Sequence, residues 1–76
     1  MQKYVDKNGD SGISDYEYDN NQIKIKFKFG KTYTYPSSKV GLTHFNNMRK
    51  LADAGDGLNA YINTNPEVKK GYSVIE

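Results

Sequence analysis

The chain has no cysteine and no tryptophan, only two prolines and two methionines, and no long apolar run. Without cysteine there are neither disulfides nor thiolate ligands for zinc or an iron–sulfur cluster. At 76 residues the chain sits near the size at which a domain buries roughly 60% of its unfolded surface, so hydrophobic burial has little margin. No stretch approaches the ~18 apolar residues of a transmembrane helix, and the opening MQKYVDKNGD is too polar for a signal peptide. A cytoplasmic, soluble monomer without membrane association is the expectation. Phosphate loops, dinucleotide fingerprints and zinc spacings are missing as well. The single histidine, His44, lies beside Phe45, and no spacing sets a serine or threonine against it as a nucleophile. It is expected to be exposed or helix-flanking, and the chain to be a non-enzymatic module with no catalytic residue and no cofactor.

What the chain does hold is aromatic and basic. Seven tyrosines and three phenylalanines must supply much of the buried area. Residues 23–35, IKIKFKFGKTYTY, alternate with period two: Ile23, Ile25, Phe27, Tyr33 and Tyr35 fall on one face of a sheet, with Lys24, Lys26, Lys28, Thr32 and Thr34 on the other. Cross-strand partners share a face, so the loop must be odd in length. The common three-residue loop, here Lys28-Phe29-Gly30 with Gly30 left-handed in a G1 bulge, sets Ile25 against Tyr33, Ile23 against Tyr35, Lys26 against Thr32 and Lys24 against Thr34. Whether Phe29 folds inward is left open.

The net charge of +2 is unevenly spread. Residues 1–22 carry Lys3 and Lys7 against Asp6, Asp10, Asp15, Glu17 and Asp19, a net −3. Residues 23–50 carry Lys24, Lys26, Lys28, Lys31, Lys39, Arg49 and Lys50 with no acid, a net +7, and the remainder is −2. Such a basic block suits an anionic partner, although lysines also solubilise a sheet face and discourage edge pairing.

Around this block, residues 6–17 overlay an EF-hand calcium loop, with Asp6, Asn8, Asp10, Ser14 and Glu17 at ligand positions. The turn glycine is displaced by Ser11 and no helix precedes the loop. A flexible acidic leader over residues 1–10 is the preferred reading, with calcium a lesser alternative. Residues 13–18 read as a first strand, making a three-stranded antiparallel meander. Leu42, Phe45, Met48 and Leu51, with Ala52, then form the stripe of an amphipathic helix. Its N-cap is open among Ser37, Ser38 and Thr43, and Gly55 is its stop. A short helix follows over residues 57–63, with another turn opened by Asn65 and Pro66. Residues 72–75 either pack back or add a short fourth strand. The class is α+β, one domain over residues 11–76.

The chain resembles the small KTSC domain, named after the C-terminal extension of some lysyl-tRNA synthetases and also found as a stand-alone bacterial protein. The resemblance runs from Ser11 to Tyr72. It is carried by Ser11, Ile13, Tyr16, Tyr18 and Asp19, then by Phe27, Gly30, Tyr33 and Tyr35. The third block is Ala54, Gly55, Gly57, Leu58, Asn59, Tyr61 and Ile62. The link between Tyr35 and the glycine-rich block is longer than usual and lacks the usual Val-Pro. The resemblance implies a mainly structural role for Tyr18, Phe27, Gly30, Tyr33, Tyr35, Gly57, Asn59 and Ile62, and it suggests RNA binding. Placing Ile13 and Tyr18 in a strand also keeps Glu17 from closing round a metal. The leading expectation is therefore weak binding of RNA or single-stranded nucleic acid through Lys24, Lys26, Lys28, Lys31, Arg49 and Lys50. The alternative is a protein-interaction domain using a sheet edge or the residue 72–75 tail.

Overall fold

Period-two alternation builds the centre of the molecule. A computed structural model describes residues 1–7, 9 and 11–76. In it β1 (Gln2–Lys3), β2 (Ile13–Tyr18), β3 (Gln22–Phe27), β4 (Thr32–Pro36) and β5 (Val74–Ile75) form one antiparallel sheet in sequence order. The β3–β4 register follows the parity argument: Ile23 faces Tyr35, Ile25 faces Tyr33, Lys24 faces Thr34 and Lys26 faces Thr32. On the other side of β3, Tyr16 faces Ile25 and Tyr18 faces Ile23. One sheet face is therefore aliphatic and aromatic throughout.

The turn between β3 and β4 departs from expectation. Gly30 is not among the glycines with positive φ, so no left-handed residue closes the loop. Instead the Gly30 N–H donates to the Phe27 carbonyl and the Phe27 N–H to that of Lys31, both at 3.3 Å. Phe29 projects from this turn fully exposed.

The helices lie over the apolar face: α1 (Ser37–Val40), α2 (Leu42–Ala54), α3 (Leu58–Thr64) and α4 (Pro66–Lys69). Phe45, Met48 and Ala52 of α2 are buried with Ile13, Tyr16, Ile23, Ile25 and Tyr35 of the sheet, each large apolar side chain contributing about 1.5–3 kcal/mol. Leu42, placed in this stripe by its spacing, is 67% exposed. α2 starts only at Leu42, after Gly41 has broken the chain away from α1 with φ 90°, so Leu42 is the first residue of the helix and lies at the end of its stripe. Gly41 is the N-cap, so none of Ser37, Ser38 and Thr43 serves. Gly55 stops α2 in the left-handed conformation, as its position predicts.

The two ends of the chain hold more structure than local pattern led one to expect. Residues 1–7 are not a flexible leader. β1 pairs with β2, and Tyr4 is only 2% exposed. The Tyr4 hydroxyl accepts the Leu58 N–H at 3.3 Å, capping α3, whose own N-cap, Gly57, has no side chain to offer. The Lys7 N–H donates to the Gly55 carbonyl at 2.8 Å. At the other end β5 pairs with β4, so the sheet has five strands rather than three or four. Gly71 allows the approach to β5: a Cβ there would lie 2.5 Å from Val40 Cγ1 and 2.8 Å from the Glu67 carbonyl oxygen.

Candidate functional site

The residues singled out for binding do not converge on one surface. On the outer sheet face Lys24 stands between Glu17 and Thr34, and Lys26 between Asp15 and Thr32. Opposite charges directly across strands attract, so this face alternates in sign instead of presenting a basic stripe. Lys28 lies 3.0 Å from Asp6 Oδ2, and its ammonium holds the Asp6 carboxyl below its ordinary pKa, helped by the Ser11 N–H. Arg49 lies over the rings of Phe45 and Tyr18, 5.1 and 5.4 Å from their centroids. It also donates to Asn46 Oδ1 at 3.0 Å. Lys50 is exposed on the same helix.

The described members of the candidate calcium loop, Asp6, Ser14 and Glu17, are each engaged elsewhere. Asp6 is held by Lys28 and Ser11, the Ser14 hydroxyl donates to the Lys26 carbonyl, and Glu17 lies in β2 with the N-terminal amine 3.5 Å away. Asn8 and Asp10 lie outside the described residues. Among the described residues no group of three or more His, Cys, Asp or Glu side chains is placed to hold a metal.

Two hydroxyl networks brace the body. Tyr16 and Tyr18 both donate to Asp53, at 2.8 and 2.7 Å, joining β2 to α2. Burial first, and then Asp53, push the Tyr16 phenol up to about 12. His44, expected to be exposed or helix-flanking, stands half-buried in the first turn of α2. Its Nε2 meets Glu67 Oε2 at 3.0 Å and its Nδ1 meets the Tyr61 hydroxyl at 2.5 Å. With the proton on Nε2 toward the carboxylate, Nδ1 accepts from Tyr61, whose oxygen in turn accepts from Asn47 Nδ2 at 3.2 Å. This carboxylate–imidazole–phenol relay has the order of a nucleophile-activating triad. The phenol oxygen meets both His44 and Asn47, and Tyr61 does not line the groove described next; the relay ties α2, α3 and α4 together.

A groove of about 800 Å³ lies where the β3–β4 hairpin, α3, α4 and the tail meet. Its walls are aromatic: Tyr33 is met edge-on by Phe27 at 5.4 Å and by Tyr72 at 5.0 Å, and it stacks on Tyr35 at 6.3 Å. Burial and the neighbouring phenols of Tyr33 and Tyr72 push Tyr35 up to about 12. Asn59 and Asn63, one turn apart on α3, also line the groove. Neither amide has a hydrogen-bond partner among the described residues. Lys31, Lys69 and Lys70 complete the lining, all three exposed.

No match to a family model, a curated protein or a solved structure was found for this chain. The reading of the groove therefore rests on its chemistry. A volume of this size lined by aromatic rings and a few polar groups is typical of a small-ligand site, and three ammonium groups bias it toward an anion. Of the six basic residues singled out from the sequence, only Lys31 belongs to it. Lys69 and Lys70 escaped because they look like the ordinary basic end of a short helix. Phe27, Gly30, Tyr33, Tyr35, Asn59 and Ile62, which carry the resemblance, and Tyr72, which bounds it, do line the groove, but a mainly structural role was expected of the first six.

Proposed function

We propose that this chain is a KTSC-type, non-enzymatic module that binds unpaired nucleic acid, RNA in the first instance, in the groove between the hairpin and α3–α4. The observation that carries this reading is the combination of aromatic walls with unpartnered Asn59 and Asn63 amides and a rim of Lys31, Lys69 and Lys70. Bases stack on aromatic rings whatever their identity, amides meet the hydrogen-bonding edge of an unpaired base, and ammonium groups take the backbone phosphates. The resemblance to a synthetase-associated domain points the same way. Lys24 and Lys26 are given a minor share, because each faces a carboxylate across the sheet.

Binding of a labelled single-stranded RNA, followed by anisotropy, tests this. The logarithm of the affinity is expected to fall linearly with the logarithm of salt, and Lys69→Gln with Lys70→Gln to flatten that slope by about 0.7 per lysine. The pair Lys24→Gln and Lys26→Gln is expected to leave it nearly unchanged. No binding of the unmodified protein at ~50 mM salt, where phosphate contacts are strong, overturns the proposal.

A further inference from the structure

Phe29 is the most exposed large apolar side chain among the described residues, at 102% of its reference accessibility. No aromatic ring meets its own. Its backbone, by contrast, is firmly held. The turn closes through Phe27, Gly30 and Lys31, the Lys28 N–H donates to the Gly12 carbonyl at 2.7 Å, and the Lys28 ammonium is paired with Asp6. An aromatic ring presented on a braced turn loses little freedom when a ligand covers it, which favours binding. Its place decides what that ligand is. Phe27, Gly30 and Lys31, the residues around it in the turn, line the aromatic groove, so Phe29 stands in the same turn, next in sequence to the lining residue Gly30.

We infer that Phe29 is a second stacking surface, and that groove and turn together take a single strand with at least two consecutive unpaired bases. One base enters the groove, the next stacks on Phe29, and Lys31 faces the phosphate that joins them. The inference rests on the groove being the nucleic-acid site, and it adds that a strand is favoured over a mononucleotide or a blunt duplex.

The chain has no tryptophan, so Phe29→Trp places a unique fluorophore at the turn. A single-stranded hexaribonucleotide is expected to quench it, while a nucleoside monophosphate, a blunt duplex and anionic phospholipid vesicles do not. Phe29→Ala, at a position with no packing to lose, is expected to weaken hexanucleotide binding about 5- to 150-fold, to leave mononucleotide binding unchanged, and to be rescued by Phe29→Tyr. Hexanucleotide binding by the Phe29→Ala variant within twofold of the unmodified protein, with no quenching of the indole in the Phe29→Trp variant, overturns the inference and leaves the groove reading standing. A blue shift with vesicles alone overturns it in favour of a membrane contact. Failure of the unmodified protein to bind either the hexanucleotide or the mononucleotide removes the groove reading, and the inference with it.

Discussion

Tyr4 illustrates how much one side chain can decide in a domain this small. Its ring packs edge-on against Tyr16 with centroids 6.4 Å apart, and its hydroxyl takes the first N–H of α3. Burial is the main reason its phenol is held above the ordinary tyrosine pKa. Tyr4→Phe keeps the packing but strands a buried N–H, and a chemical-denaturation midpoint is expected to register a loss on the order of 1–3 kcal/mol. A residue in a truly mobile leader would register none. Nothing in MQKYVDKNGD marks this role, because the partner is 54 positions away. The aromatic pattern of residues 33 and 35, by contrast, was readable at once, since cross-strand pairing follows from parity alone.

Among the elements, α2 separates what periodicity can and cannot say. The i, i+3 spacing correctly selects Phe45 and Met48 for burial, together with Ala52 one turn beyond, and it wrongly includes Leu42. Periodicity gives an angle around the helix axis but not where the sheet beneath it ends. Phe45→Ala is expected to cost about 3–5 kcal/mol, and Leu42→Ala no more than about 0.5 kcal/mol, in parallel thermal and urea melts. The hairpin shows the same division. Its register was legible, whereas the hydrogen bonds of Lys28 in the turn to a distant Gly12 and Asp6 were not. The partners of His44 were hidden for a similar reason: both Tyr61 and Glu67 come from later helices.

At the scale of the whole molecule, folding redistributes a charge pattern that looked simple along the chain. The acidic first third brings Asp15 and Glu17 opposite Lys26 and Lys24, and Asp6 onto Lys28, so three of the seven cations of the basic block face an acid. Lys31 of that block, with Lys69 and Lys70 from the acidic last third, instead lines the aromatic groove. The buried phenols give the fold a pH limit. Tyr16 and Tyr35 are raised from 10.0 to about 12, so the folded state favours their neutral form over the unfolded chain. That stabilisation is fully present below about pH 10 and is lost as pH rises toward 12. Tyrosinate absorbance is expected to reveal late-titrating phenols, Tyr16 and Tyr35 among them, with the thermal midpoint falling over the same interval. Tyr16→Phe removes its share of that fall.

Alternation, helical periodicity and glycine stops were enough to determine the α+β class, the β3–β4 register, the end of α2 and the apolar face of the sheet, because each follows from geometry within a few residues. Tertiary structure alone decided the added strands β1 and β5, the cap that Tyr4 provides, the placing of Asp15 and Glu17 opposite Lys26 and Lys24, and the position of the groove. All of these depend on groups far apart in the chain, and local pattern carries no information about which distant surface will close over it.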